Sequence, residues 1–167
     1  MNIDHPLFGT QAVAQAAGYP VDTFRTKLKR GEFACTADYR DVESPGIGRS
    51  RLFTLRRAIN IAIAHALDEI GIPTLTASII ASKFTDIGGA VAGYRDEEVP
   101  VIRNACQMFS DGPTVLVARN IGDMPKVSVV PKHELDIDEI SGSSPVVVLE
   151  LDGIYHRVCK MLGAEAE

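Results

Sequence analysis

Between Thr10 and Arg30 apolar residues recur twice at helical spacing, with a break between the two runs. Val13, Ala14 and Ala17 share one side of the first run, which Thr10 opens as an N-cap and Gly18 ends. Tyr19-Pro20 forms the turn, and Pro20 presets the backbone for a second helix from about Val21 to Arg30, closed by Gly31. On that helix Val21, Phe24 and Leu28 fall on one side, while Asp22, Thr23, Thr26, Lys29 and Arg30 occupy the opposite arc. Two short helices joined this closely predict a helix-turn-helix.

The helical period then stops. Two short strands, near Glu32–Thr36 and Ser50–Phe53, are expected around a long loop with "SPGIG" at its tip, the outline of a wing. Thr54 caps a third helix, "LRRAINIAIAHALDEIG", whose apolar residues surround most of its circumference. Such a helix must be buried on more than one side, against the head, the C-terminal part or a second copy. A fourth helix is expected over Leu75 to Phe84 with Thr74 as its cap, followed by the glycine-rich "TDIGGAVAGYRDEEVP" as a linker. Beyond it the pattern gives a short helix around Val101–Phe109, strands "TVLVAR", "KVSVV" and "PVVVLEL", and a last helix "GIYHRVCKML". The fold class is therefore α+β. The expected organisation is a winged helix-turn-helix head with its following helices over 1–84, a linker over 85–100 and a small α+β segment over 101–167 that pairs two chains or contacts a partner.

Charge sharpens this picture. The chain carries a net charge of −5, yet residues 1–57 hold nine Lys and Arg against six Asp and Glu, whereas the remainder holds eight against sixteen. A basic head before an acidic body favours one orientation toward a polyanion. Lys29 and Arg30, with Asp22, Thr23 and Thr26, have the chemistry to read base edges in a major groove. Arg25 and Lys27 flank that arc, and they are expected on phosphates together with Arg49, Arg51 and Arg56.

The order A-x-x-A-G, T-F-R in the second helix, G-E-F at its exit, R-S-R-L-F at the return of the wing and D-E-I-G-I-P after the third helix resembles the winged helix-turn-helix head of MerR-type regulators and their excisionase-like relatives. The matching residues are Ala14, Ala17, Gly18, Thr23, Phe24, Arg25, Gly31, Phe33, Arg49, Arg51, Phe53 and Gly71, within roughly the first 80 positions. The resemblance implies duplex DNA as partner, with Arg25 and the wing arginines on the DNA backbone. The chain departs from that family in its long wing, with 19 residues between Phe33 and Phe53, and in the break at Gly71-Ile72-Pro73 where the family continues into a coiled coil.

Other chemistry is sparse. No G-x-S-x-G, H-E-x-x-H or G-x-G-x-x-G stands in the sequence, and Cys35, Cys106 and Cys159 form no C-x-x-C pair. His156 and Cys159 have ligand spacing on the last helix, but two side chains make no metal site. No catalytic residue, metal or cofactor is expected. No apolar stretch reaches the roughly 18 residues that span a bilayer, and "MNIDHPLFG" lacks the pattern of a secretory signal, so the expected setting is the cytoplasm, away from membranes. The sequence thus predicts a sequence-specific double-stranded DNA-binding protein, a transcription regulator acting as a homodimer. The competing readings are an excisionase-like or phage-packaging accessory protein, and a protein-interaction module with a degenerate head.

Overall fold

A computed structural model describes residues 2–34, 51–90, 101–121, 124–136 and 145–164. In chain order the elements are β1 (Phe8–Gly9), α1 (Thr10–Ala17), α2 (Val21–Lys29), β2 (Leu52–Phe53), α3 (Leu55–Glu69), α4 (Thr74–Thr85), β3 (Gly89–Ala90) and β4 (Val101–Arg103). They continue with β5 (Thr114–Arg119), β6 (Lys126–Pro131), a 3-10 turn over Lys132–Glu134, β7 (Val146–Glu150) and α5 (Asp152–Met161). The fold is α+β. Among the described residues no helix is long and apolar enough to cross a membrane.

Gly18 ends α1 in the left-handed conformation, φ +94°, and donates its N–H to Ala14 and Gln15. A Cβ there would stand 2.9 Å from the His65 ring, so both backbone and packing require glycine. Thr10 is the first helical residue and Gly9 holds the cap position, which corrects the expected threonine cap. Thr54 does cap α3, its Oγ1 accepting from the Arg57 N–H at 3.0 Å. Thr74, expected to cap α4, instead begins that helix after Pro73 and turns its hydroxyl to Asp68.

Leu52 and Phe53 pair antiparallel with Gly9 and Phe8. Glu32 to Ala34 form no strand, so the described return of the wing is held by the segment preceding α1; 35–50, with Arg49 and the expected loop tip, lie outside the described residues. A second correction concerns Val101–Phe109, where the sequence suggested helix. Val101–Arg103 is a strand paired with Gly89–Ala90, and Cys106 adopts φ +60°, which no helix permits. The Gly88-Gly89 pair has a packing role within the expected linker: a Cβ on Gly88 would lie 2.8 Å from the Arg103 carbonyl oxygen.

In the three-stranded antiparallel sheet β5 is central, with β6 and β7 on either side. Its Leu116 and Ala118 join Leu151, Val158 and Cys159 in the same buried cluster as Val13, Phe24, Ile59, Ile63, Leu67 and Phe84. Residues of 1–84 and of 101–167 therefore build one core. The all-round apolarity of α3 is met within the chain by α1, α4 and α5, and its Ile59, Ile61, Ile63 and Leu67 are fully buried. That removes the argument for a homodimer drawn from this helix.

The α5 side of the core carries one buried and one partly buried acid of high pKa. Burial pushes the Cys106 thiol, ordinarily near 9, up to about 12, and the Tyr155 phenol, ordinarily near 10, up to about 12. In the unfolded chain both lose their protons at lower pH, so the stability they contribute is complete below about pH 9 and is lost as pH rises toward 12. Urea unfolding across pH 7–11 is expected to show a flat midpoint to about pH 8.5, then a decline of up to about 1.4 kcal/mol per pH unit from Cys106. A midpoint unchanged at pH 10.5 would contradict the burial of that thiol.

Candidate nucleic-acid interface

The second helix is seated through one ring. Phe24 is fully buried, with Tyr19, Phe33 and Phe53 ring centroids 5.9, 5.6 and 5.9 Å away, and Val21 and Leu28 add partly buried contacts on the same side. This is the inner side that the 100° helical step assigns, so the opposite arc faces solvent. Asp22, Thr23, Thr26, Lys29 and Arg30 are all exposed. The five residues expected to read bases thus share one open surface, Arg30 retaining 70% of its side-chain exposure beside Glu32 at 3.7 Å. Thr26 Oγ1 donates to the Asp22 carbonyl at 2.9 Å, and Arg25 lies 3.5 Å from the Asp22 carboxylate. These contacts are local and exposed, hence weak.

Arg25 also borders an open depression of about 510 Å³ lined by Gly9, Thr10, Gln11, Ala12 and Gln15. It therefore stands at the flank of the arc and beside the first turn of α1.

Two expected phosphate contacts are placed elsewhere. Lys27 keeps only 19% of its side-chain exposure and points its ammonium inward, 2.6 Å from Thr74 Oγ1, 3.2 Å from Asp68 Oδ2 and 3.3 Å from Glu32 Oε2. Arg56 is buried, donating to both carboxylate oxygens of Asp4 and to the Thr85 carbonyl. Neither guanidinium nor ammonium can reach a duplex without abandoning these partners. Arg56 belongs instead to a buried polar seam between α3 and α4. There Arg57 donates to the Ala34 carbonyl, Ser78 Oγ donates to Asn60 Oδ1 at 2.9 Å, and Asn60 Nδ2 donates to Thr85 Oγ1 at 3.2 Å. Arg51, by contrast, is partly exposed at the entry to β2.

No family model matches the chain, and no curated protein matches it. The surface must be judged on its own chemistry.

Sequence reasoning passed over Arg103 and the ring of Tyr19. Tyr19, read as a turn residue, is buried between Phe24, Phe33 and His65, and the two rings of Tyr19 and His65 have centroids 4.0 Å apart. The Nδ1 of His65 has no hydrogen-bond partner among the described residues. His156 is exposed while Cys159 is buried, so the pair does not converge on a metal, and no group of three metal-binding side chains occurs among the described residues.

Proposed function

We propose that this protein binds double-stranded DNA in a sequence-specific manner, as a transcription regulator, with α2 entering the major groove. The observation that carries the reading is the division of α2: Phe24 is fixed in an aromatic core, and Asp22, Thr23, Thr26, Lys29 and Arg30 all stand free of that core on one exposed arc. Arg25, at the border of the depression beside α1, and the wing cations Arg49 and Arg51 hold phosphates. Lys27 and Arg56 are left out of this set because each is turned inward onto an acidic partner and largely withdrawn from solvent. A nine-residue helix reads few base pairs, so two copies bind a two-fold symmetric site.

Salt-dependent binding tests the reading. With Arg25, Arg49 and Arg51 on phosphates, log affinity for a duplex is expected to fall with log salt at a slope of about −3 per head. Arg25→Ala should reduce that slope by about 0.9 and weaken binding to all sequences alike. On a site selected from random duplexes, Lys29→Ala or Arg30→Ala should cost about 1–3 kcal/mol and relax preference at one or two positions. Binding that ignores salt, or retains full preference in both variants, refutes the assignment of α2.

A further inference from the structure

We propose that Lys27 is a positioning residue for DNA recognition, pinning α2 to the α3–α4 junction so that the exposed arc meets the groove at one fixed angle, without touching DNA itself. The inference rests on the DNA-binding reading above. A short helix seated along one side only, by buried Phe24 with partly buried Val21 and Leu28, can rock about that side, and a fixed point on another side is needed to define its direction. Phe24 is the first point. Lys27, three residues further along, supplies the second on another side of the helix.

The geometry of the pin is nearly saturated. An ammonium has three protons, and Thr74 Oγ1, Asp68 Oδ2 and Glu32 Oε2 supply three acceptors within 3.3 Å of Nζ. The ammonium also lies 6.0 Å from the centre of the Tyr19 ring. Thr74 Oγ1 in turn donates to Asp68 Oδ1 at 3.1 Å, and the Tyr19 hydroxyl donates to Asp68 Oδ2 at 3.4 Å. Burial and the neighbouring Asp68 carboxylate push the Tyr19 phenol well above its ordinary pKa, as a closely packed acidic cluster requires. Asp68 occupies the last turn of α3, where the helix dipole disfavours a carboxylate, and the Lys27 ammonium compensates it. The cation therefore joins three elements: α2 through its own stem, α3 through Asp68 and α4 through Thr74.

A phosphate contact and a positioning contact differ in a measurable way. The probe is a fluorescein-labelled 20-base-pair duplex of mixed sequence, titrated by anisotropy at several salt concentrations. The proteins are the wild type, Lys27→Met, Asp68→Asn, the double variant and Thr74→Val, each verified as folded by circular dichroism. Lys27→Met is expected to weaken binding about tenfold with the salt slope unchanged. Asp68→Asn removes a negative charge, which by long-range electrostatics alone would tighten binding; a positioning role predicts weakening instead. The double variant should be no weaker than either single one, because both break the same pin. Thr74→Val, which breaks the pin from α4, should weaken binding in the same direction and serves if Lys27→Met does not fold.

A salt slope reduced by about 0.9 in Lys27→Met, with Asp68→Asn unchanged or tighter, would make Lys27 a phosphate ligand and overturn the proposal. Folded variants that bind as tightly as the wild type would reduce the cluster to a stability element and also overturn it. Failure of the wild type to bind the duplex would instead overturn the DNA-binding reading, and the positioning role with it.

Discussion

Arg103→Ala is expected to lose about 3–5 kcal/mol of stability, a large part of what a single-core protein possesses. Arg103 is only 3% exposed and its guanidinium stacks on the Phe84 ring, the central carbon 5.0 Å from the ring centre. One terminal nitrogen donates to the carbonyls of Phe84, Asn104 and Gln107, and the other to those of Lys83 and Ile87. The last turn of α4 leaves carbonyls that its own helix cannot satisfy, and Arg103 collects them where the helix dipole also favours a cation. Truncation orphans several of these acceptors at once. Arg103→Lys keeps the charge without the planar fork and should fall between wild type and alanine. Urea denaturation at constant m-value measures the difference. A midpoint within experimental error of the wild type would mean that water satisfies the end of α4 and that the fork is dispensable.

Phe24→Ala is expected to cost a similar amount, about 3–5 kcal/mol, by emptying the site shared with Tyr19, Phe33 and Phe53. Under the proposed DNA-binding function, loss of binding should follow loss of fold, since the ring is what seats α2. Phe24→Leu, which keeps most of the volume, should cost about 1.5 kcal/mol or less and retain binding. Unfolding midpoints and duplex titrations on both variants provide the check. A folded Phe24→Ala protein with wild-type affinity would show that α2 is not the reading element.

The positions of these two residues illustrate what a linear pattern can convey. Phe24 was legible because the inner side of a short amphipathic helix is fixed by its period, and Gly18 and Gly31 mark the helix ends through their left-handed backbone. α3 and the three strands of the main sheet were legible as well, because their apolar runs are long enough to stand out. Arg103 was not legible. It lies in a strand of three residues, too short for alternation to appear, and its partners are carbonyls made available by a helix that ended eighteen positions earlier. Leu52–Phe53 posed the same difficulty, because a two-residue strand carries no information about its mate.

For the candidate interface the limit was different. Sequence identifies a cation but not its counter-ion: Lys27 and Arg25 flank the same arc, yet one meets Asp68 and the other remains at the surface. A partial signal existed for Arg56. Arg56, Arg57 and Asn60 interrupt the apolar first half of α3 at positions that lie on adjoining sides, and such a polar stripe points to partners inside the fold more readily than to a ligand outside it.

The pairing of Phe8 with Phe53 has a consequence for the order in which the protein can be completed during synthesis. Phe8 and Gly9 are made before Leu52 and Phe53 and must wait for them; Asp4 waits likewise for Arg56. α1 gains α3 as a neighbour soon afterwards, but its contact with α5 waits until that helix too has been made. α2 is thus made well before the rings that close its underside are complete, Phe53 being the last of them. A nascent chain would expose the apolar underside of α2 until Phe53 arrives, and the core that joins α1 to α5 would close only afterwards.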